Sequence, residues 1–306
     1  MLTCILTAQR EAGTVGAALR ALLAQDWHAE YELLAVCPDA TTADVVRSLA
    51  GTHPQIRHLE DRGEGKPAAL NLALAEASGD VCVFTDGDVE VEPGAIRALV
   101  APLRDPACGA VSGRPVSANP RSTMLGYWSH LLTDAGAHAA RRRRARRGRF
   151  FDCSGYLYAV RRALVPRIPL DALADDAYVS QAVWRQGYRI AYAPEARVLV
   201  RYPTSYRDWM LQKVRSTSGA ATAAQQPGGS DRSGHRGERM RSFVAEAVEG
   251  LPPMLLYPRS PREYWWLACL LAARVHLWAS VWSEVHVRHR SYREVWQRVE
   301  STKLGS

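Results

Sequence analysis

The strongest constraint on the fold is the alternation of two hydrophobic periods along the first 113 residues. Short apolar, β-branched runs indicate strands, whereas apolar residues at helical spacing indicate amphipathic helices. The predicted strands are 2–6, 32–36, 56–59, 81–85 and 109–112, and the predicted helices are 12–25, 42–49, 67–77 and 93–103. This order predicts an α/β domain in which helices cover both faces of a mostly parallel sheet.

Beyond residue 113 the alternation weakens. The predicted elements are a helix at 122–140, a strand at 151–160, a helix at 174–186 and strands at 190–193 and 197–201. We therefore predict one domain over 1–218, with halves 1–113 and 114–218. A stretch rich in Gly, Ser, Ala and Gln at 219–242 is typical of a mobile loop or lid. A C-terminal helical segment is predicted over 243–306.

The positive charge of the chain is concentrated in one short run. Seven arginines lie between Arg141 and Arg149, so nearly all of the net charge of +8 is local. A general nucleic-acid-binding surface is therefore not predicted. The run is typical of a solvated, disordered loop. The first alternative is a segment that an anionic membrane leaflet attracts. The last is nucleic-acid binding, which neither interleaved aromatic residues nor a recognisable motif supports.

The cysteines and the N-terminus favour a cytoplasmic protein. Six cysteines are scattered without metal-ligand spacing, which is typical of a reducing compartment. The chain enters a predicted strand at Leu2 rather than a charged and then apolar leader.

The C-terminal segment is rich in tryptophan. Four of the nine tryptophans lie within 264–285, but Arg274, His276 and Glu284 interrupt the apolar pattern. A membrane span needs about 20 predominantly apolar residues, so none is predicted. Tryptophans with basic flanks are typical of a helix lying in the membrane interface. The alternative is a helix buried against the main domain.

Acidic residues follow two of the predicted strands. Asp86 and Asp88 come directly after the strand at 81–85, and Asp39 follows the strand at 32–36. In a parallel sheet, ligands bind beyond the carboxyl ends of the strands. Mg²⁺ takes one or two carboxylates and completes its shell with substrate phosphates. The pattern therefore predicts a divalent-cation site, and its alternative is an exposed turn.

Five motifs in order extend this site along the chain. They are Thr7-Ala8-Gln9-Arg10-Glu11, Asp39, Gly65-Lys66-Pro67-Ala68-Ala69-Leu70-Asn71, Asp86-Gly87-Asp88 and Asp175-Asp176. Their order and spacing resemble glycosyltransferase family 2, the inverting nucleotide-sugar enzymes of the Rossmann-like GT-A fold. The resemblance covers about residues 2–218. It implies a nucleotide-binding half at 1–113 and an acceptor half at 114–218.

The resemblance implies a donor side built on the strand ends. Asp88 and Asp86 would bind a divalent cation, Mg²⁺ or Mn²⁺, and Asp86 would also reach the ribose. Asp39 would accept from the nucleobase, most often uracil, and Lys66 would lie near the diphosphate. Three further donor-binding residues are implied, namely Thr7, Glu11 and Arg215. The alternatives are a helix N-terminus for Asp39 and Glu11 and a solvated surface for Lys66 and Arg215.

On the acceptor side, the resemblance implies that Asp176 is the general base. Inverting transfer needs a carboxylate that accepts the proton of the attacking hydroxyl, and the family places an acidic pair here, with Asp175 first. Ser154, Gly155 and Gln212 are the other implied acceptor-side residues. The alternative for the pair is helix N-capping. Ser216 replaces the tryptophan that processive synthases carry, which disfavours polymerisation.

The sequence as a whole predicts a metal-dependent, inverting glycosyltransferase. It would move a sugar from a nucleotide-diphosphate donor, a UDP-sugar by preference, to a hydroxyl of a glycan or lipid-linked acceptor in envelope glycan or glycolipid synthesis. We expect a cytoplasmic protein, peripheral on the anionic inner face of the plasma membrane, and no nucleic-acid partner. The alternatives are a polyprenyl-phosphate sugar synthase and a catalytically inactive, membrane-associated scaffold of the same fold.

Overall fold

One eight-stranded sheet organises the chain. The computed structural model describes residues 1–26, 30–165, 167–172, 174–223 and 251–286, with the backbone alone for 215–223, 251 and 281–286. The strands are β1 (Leu2–Thr7), β2 (Tyr31–Val36), β3 (Ile56–Leu59), β4 (Val81–Asp86), β5 (Val89–Val91), β6 (Cys108–Ser117), β7 (Leu157–Arg161) and β8 (Arg189–Val200).

The sheet is mixed, in the order β3-β2-β1-β4-β7-β6-β8-β5. The strands β1 to β4 are parallel to one another. Only β7 and β5 run against the common direction of the eight strands. The prediction of a mostly parallel sheet between helices is therefore confirmed.

Three details of the sheet differ from the prediction. The strand β5 has three residues, which is too short for a periodic signal. The strands predicted at 190–193 and 197–201 form the single strand β8, because a register shift opposite Gly113 accommodates Pro194 within it. The strand predicted at 151–160 is confined to β7, because residues 151–156 form a loop.

Ten helices accompany the strands in the described part of the chain. They are α1 (Val15–Leu23), α2 (Ala40–Ala50), α3 (Lys66–Glu76), α4 (Ala95–Val100), α5 (Met124–Leu131), α6 (Ala139–Arg146), α7 (Asp175–Arg185), α8 (Tyr206–Ala223), α9 (Leu251–Leu255) and α10 (Pro261–His286). A π-helical segment, Leu132–His138, joins α5 to α6, and 3₁₀ turns follow α4 and β7.

Each face of the sheet has its own hydrophobic core. In β1, Cys4 and Leu6 face the core that α1, α2 and α4 cover, while Ile5 faces the core that α3 and α7 cover. Side chains alternate between the faces of a strand, so a strand buried on both faces is apolar at nearly every position. This packing fixes the carboxyl ends of the central strands, where the predicted site lies.

A third apolar cluster lies among the helices. The inner side of α10, with Leu267, Leu270 and Leu277, is buried, and Leu267 and Leu270 pack with Trp128 of α5. The indole nitrogen of Trp128 donates to the carbonyl oxygen of Trp266 at 2.7 Å. Among the described residues, no helix combines the length and the hydropathy that a membrane crossing requires.

The arginine run is helical rather than disordered. The helix α6 contains its residues up to Arg146, and Arg141 and Arg144 are buried. Nε of Arg141 donates to the carbonyl oxygen of Asp152, and a guanidinium nitrogen of Arg144 donates to that of Phe150, both at 3.1 Å. The interpretation as a solvated loop is therefore wrong for this part of the run, because backbone carbonyls partner its inward-facing arginines.

The boundaries predicted beyond residue 218 are only partly covered by the structure. Residues 219–223 continue α8, and residues 251–286 contain α9 and α10. The rest of the loop predicted at 219–242, like residues 243–250 and 287–306, lies outside the described residues. The division into halves and a lid stays a prediction.

Candidate active site

The predicted carboxylates gather where β1, β2 and β4 end. Thr7 of β1 pairs with Asp86 of β4 in the parallel register. Its hydroxyl donates to Oδ1 of Asp86 at 3.3 Å, and the amide of Gly87 donates to the carbonyl oxygen of Thr7 at 2.9 Å. These bonds hold the turn that carries Asp86 and Asp88 against the end of β1.

Gly87 is required by the close approach of two loops. A Cβ atom at this position would lie 2.6 Å from Cβ of Ala8 and 2.7 Å from Oε2 of Glu11. A residue with a side chain would therefore separate the turn from the loop that follows β1. The glycine between the two acidic residues is thus a structural requirement of the site.

Lys66 connects two carboxylates from distant parts of the sequence. Its Nζ lies 2.7 Å from Oδ1 of Asp86 and 3.7 Å from Oδ2 of Asp175. Burial alone would lower the pKa of Lys66, but the carboxylates of Asp175 and Asp86 raise it well above the ordinary value. Burial raises the pKa of Asp175 to about 6, while Lys66 opposes this shift. Lys66 is therefore a half-buried, ion-paired lysine rather than a freely solvated one.

Asp39 joins the loop after β1 to the start of α2. Its carboxylate caps α2 by accepting from the amide of Thr42 at 3.1 Å, and it accepts from the amide of Arg10 at 2.7 Å. Burial opposes ionisation, yet hydrogen bonds from Arg10, Thr42 and Thr41 lower the pKa to about 2. Asp39 is therefore an N-cap that remains ionised, and its contact with a nucleobase stays a prediction.

Asp176 lies in the first turn of α7, facing the loop before β7. Its Oδ2 accepts from the amide of Gly155 at 2.9 Å, and a Cβ atom at Gly155 would lie 3.1 Å from the same oxygen. The N-cap of α7 is Ala174, so N-capping by Asp175 or Asp176 is wrong. The carboxylate of Asp176 is held by a backbone amide and lies at the same site as Lys66 and Asp175.

The loop 150–155 connects this carboxylate to the rest of the domain. The amide of Cys153 donates to the hydroxyl of Ser180 in α7 at 2.9 Å, and the amide of Ser154 donates to that of Ser112 in β6 at 3.0 Å. The side chain of Ser154 is buried. Ser154 and Gly155 therefore shape the site through their backbone.

The remaining predicted residues are less closely tied to the carboxylates. The amide of Glu11 donates to the hydroxyl of Thr42 at 2.9 Å, beside Asp39. Asp88 lies in the turn between β4 and β5. Gln212 is part-buried on α8, which packs against α7. Arg215 belongs to α8, and the structure describes only its backbone.

Tyr158 is a residue of the site that sequence reasoning missed. Its ring stacks on Phe84 at 4.6 Å, and its buried hydroxyl has no hydrogen-bond partner in the described part of the chain. Burial raises the pKa of Tyr158 well above its ordinary value, and the carboxylates of Asp175 and Asp176 raise it further. The one available signal is a polar hydroxyl within an apolar strand.

The turn at the end of β4 fits a divalent cation that a substrate also binds. Among the described residues, no group of three or more His, Cys, Asp and Glu side chains forms a complete cage. Asp86 and Asp88 supply two carboxylates, and Mg²⁺ commonly uses one or two together with substrate phosphates. Asp86 is already neutralised by Lys66, so a cation there would share this carboxylate.

Comparison with known proteins covers most of the domain. A family model described as "Glycosyltransferase like family 2" matches residues 2–221. A probable glycosyltransferase, YdaM, from Bacillus subtilis is 28% identical over 58% of this chain and 44% of that protein. An N-acetylglucosaminyltransferase from Rhizobium meliloti is 23% identical over 66% and 51%. A poly-beta-1,6-N-acetyl-D-glucosamine synthase from Staphylococcus aureus is 25% identical over 71% and 54%. The chain spans about half the length of these relatives.

Two solved structures share the fold. A mannosyltransferase from Pyrobaculum calidifontis, in complex with GDP-Man and Mn²⁺, matches with a TM-score of 0.60 and 23% identity, over 96% of this chain and 82% of that chain. A mannosyl-3-phosphoglycerate synthase from Rubrobacter xylanophilus matches with a TM-score of 0.50 and 17% identity, over 74% of each chain. The mixed sheet flanked by helices is therefore the GT-A fold.

Proposed function

The chain belongs to glycosyltransferase family 2, and on this premise we propose that it is a metal-dependent, inverting enzyme. It transfers one sugar from a nucleotide-diphosphate donor to a hydroxyl group. The observation that carries the proposal is the chain of contacts from Asp86 through Lys66 to Asp175, with Asp176 as its neighbour. This chain joins a candidate donor-side carboxylate to a candidate base at one edge of the sheet.

The donor side is proposed to lie on the ends of β1, β2 and β4. Asp88 and Asp86 hold a divalent cation, Mg²⁺ or Mn²⁺, which as a Lewis acid would stabilise the charge of the departing nucleotide diphosphate. Lys66 adds a positive charge beside Asp86. Asp39 accepts from the nucleobase, and Thr7 and Glu11 line the nucleotide. Arg215 contacts the diphosphate from α8.

On the acceptor side, Asp176 is proposed to accept the proton of the attacking hydroxyl. The amide of Gly155 fixes Oδ2 of Asp176 at 2.9 Å, which orients the carboxylate before the acceptor arrives. A general base in this position contributes about 100-fold to 10,000-fold to the rate. Asp175 positions Lys66, while Ser154, Gly155 and Gln212 shape the acceptor pocket.

The names of the relatives support a proposal for the substrate class. The names of several relatives specify N-acetylglucosaminyl transfer, and one structural neighbour is a mannosyltransferase bound to GDP-Man and Mn²⁺. We propose a hexose or N-acetylhexosamine donor, carried by UDP by preference, and an acceptor in envelope glycan or glycolipid synthesis. The enzyme would work on the inner face of the plasma membrane.

Peripheral attachment to that membrane is supported by the outer side of α10. Trp265 and Val275 expose 68% and 67% of their surface there, while the inner side of the same helix is buried. Arg262 stacks over the ring of Trp266 at 4.2 Å. One side of α10 therefore packs against the domain, as the buried-helix alternative predicts. The other side exposes apolar residues, as expected of a helix in the membrane interface.

The proposal is tested by nucleotide-sugar binding and turnover. We expect one member of a panel of UDP-, GDP- and dTDP-sugars to raise the melting temperature, and only in the presence of Mn²⁺ or Mg²⁺. Asp88→Asn should abolish this metal-dependent shift, whereas Asp44→Asn, on the exposed surface of α2, should retain it. If no nucleotide sugar shifts the transition with metal, the inactive-scaffold alternative replaces the proposed function.

A further inference from the structure

The arginines of α6 lie on two faces of the helix, one buried and one exposed. The inward-facing Arg141 and Arg144 are 4% and 5% exposed and donate to carbonyl oxygens of the loop 150–155. These bonds give both residues a structural role. Arg142, Arg146 and Arg147 lie on the exposed side of the run.

The exposed arginines of α6 lie beside a groove whose walls are mostly apolar, formed by carbon atoms of its lining side chains. His138, Arg142 and Arg146 follow one another at intervals of four residues, so they lie on one helix face. A groove of about 400 Å³ runs along this face, and its lining residues are His138, Ala139, Arg142, Arg143, Arg146 and Arg147. We call it the arginine groove. Among the described residues, no acidic side chain lines it.

Crowding of like charge in the arginine groove is unfavourable without an anion. Arg142, Arg146 and Arg147 are exposed. Within the described ranges, no carboxylate forms a salt bridge with any of these three. Like charges four residues apart destabilise a helix. Burial, followed by the charges of Arg114 and Arg142, lowers the pKa of His138, whereas Asp134 and Glu195 oppose this shift.

The arginine groove is structurally connected to the candidate acceptor side. Nδ1 of His138 lies 2.8 Å from the hydroxyl of Tyr192, whose ring meets the ring of Phe151 edge-on. Phe151 belongs to the loop 150–155, which reaches Asp176 through the amide of Gly155. A ligand in the groove would therefore contact a helix that supports this loop.

Apolar side chains lie next to the same helical segment. The helix α9 packs against the π-helical segment that ends at His138, and the hydroxyl of Tyr257 donates to Asp134 of that segment at 2.9 Å. At this end of α9, Leu255 and Leu256 are 46% and 86% exposed. Basic and apolar surface on adjoining elements fits a ligand with an anionic group and a hydrophobic chain.

We propose that the arginine groove binds the phosphate group of an anionic lipid. Arginine guanidinium groups recognise phosphate oxygens through paired, charge-assisted hydrogen bonds. Nucleic acid is less suited to this groove, because none of the described residues that line it is aromatic and could stack on bases. The proposal adds a ligand to the proposed function and does not depend on the transfer reaction.

The test compares two triple variants of equal charge. The groove variant is Arg142→Gln, Arg146→Gln and Arg147→Gln, and the control is Arg20→Gln, Arg104→Gln and Arg207→Gln, at exposed positions elsewhere. Both variants are first checked for an unchanged melting temperature. We expect the groove variant to lose about 100-fold in affinity for phosphatidylglycerol vesicles at low salt, because each arginine near an anionic surface contributes about fivefold. The control should lose far less.

Further ligands identify the source of the phosphate. Binding of citronellyl phosphate without vesicles, lost in the groove variant, supports the proposal and indicates a lipid-linked acceptor. Binding that requires phosphatidylglycerol vesicles supports it and indicates bilayer lipid. Equal losses in the groove variant and the control would overturn the proposal. So would groove-dependent binding of an oligonucleotide that is tighter than binding of either lipid.

Discussion

At the scale of single residues, Lys66 is the shared ion-pair partner of carboxylates from two distant parts of the chain. It lies 2.7 Å from Asp86, one of the two proposed metal ligands, and also pairs with Asp175 beside the proposed base. Without a bound cation, its ammonium group is thus the counter-ion of Asp86. A divalent cation that binds the same carboxylate has to share or replace this ion pair.

Replacing Lys66 by methionine should therefore strengthen the binding of metal alone. We expect Lys66→Met to raise the affinity for Mn²⁺, measured by calorimetry without nucleotide, by about fivefold, the equivalent of one part-exposed ion pair. The same variant should bind the donor nucleotide more weakly, because it lacks the charge near the diphosphate. Lys66→Arg retains the charge and serves as the control. An unchanged Mn²⁺ affinity in Lys66→Met would contradict the competition.

Replacing Asp176 by asparagine tests the proposed base. We expect Asp176→Asn to lower kcat by at least about 100-fold, because the amide cannot accept the proton of the hydroxyl. Donor affinity should stay unchanged, since the proposed donor contacts lie elsewhere. The matched control is Asp171→Asn, an exposed aspartate outside α7. Near-normal turnover of Asp176→Asn would exclude the role as base and favour an acceptor that is already ionised, such as a lipid phosphate.

The contribution of the sequence differs among these residues. Asp39, Asp86 and Asp88 are predicted because each follows a strand whose apolar pattern is local. The contact of Lys66 with Asp175 joins positions more than 100 residues apart, and no periodic pattern encodes it. Tyr158 lies in β7, which pairs with β4. The carboxylates near Tyr158 come from other parts of the sequence, so only the folded structure places them beside it.

At the scale of secondary-structure elements, Asp39 ties the start of α2 to the loop after β1. Its carboxylate accepts hydrogen bonds from the amides of Thr42 and Arg10, and Arg10 has a φ of 54°, in the left-handed region. The hydrogen bond thus holds an unfavourable backbone conformation in the loop that also approaches Gly87. The same side chain serves the helix and the geometry of the site.

Removing this carboxylate should weaken the fold in a pH-dependent way. The pKa of Asp39 lies at about 2 in the folded protein, against an ordinary value of 3.8. The stabilisation is therefore fully present well above pH 4 and is lost as the pH falls towards 2. We expect Asp39→Ala to lower the free energy of unfolding by about 1 kcal/mol at pH 7, measured by urea denaturation, with a smaller difference at pH 3. Asp44→Ala, at an exposed ion pair, should show neither effect.

The helix α6 illustrates where pattern reasoning fails for an element. A run of arginines has no hydrophobic period and is therefore assigned to solvent. Two of its members are buried and donate hydrogen bonds to the carbonyl oxygens of Phe150 and Asp152. Those acceptors are backbone carbonyl groups of a loop. Every residue has one, so the sequence does not predict which of them accept.

At the scale of the whole molecule, the two faces of α10 differ: one is buried and stabilises the fold, and the other is exposed. Leu270 is fully buried within the helical cluster, whereas Trp265 is 68% exposed on the same helix. We expect Leu270→Ala to lower the free energy of unfolding by about 2 to 5 kcal/mol. Trp265→Ser should change it by no more than about 0.5 kcal/mol, as measured by urea denaturation. A large destabilisation by Trp265→Ser would show that this face is buried.

The Trp265→Ser variant also tests attachment to the membrane. Trp265→Ser should reduce co-sedimentation with anionic vesicles while the protein stays folded, because an interfacial tryptophan contributes through its exposed ring. Unchanged co-sedimentation would exclude this face of α10 as a contact with lipid.

One reversal of direction in the sheet decides which loops lie beside the candidate site. Because β7 runs antiparallel to β4, Leu157 at the start of β7 pairs with Thr85 near the end of β4. The loop that enters β7 therefore emerges at the edge where the parallel strands end. In an all-parallel sheet, a loop entering a strand would emerge at the opposite edge. The loop with the proposed acceptor-side residues and the strand ends with the proposed nucleotide-side residues thus lie at one edge of the sheet, although they belong to separate segments of the chain.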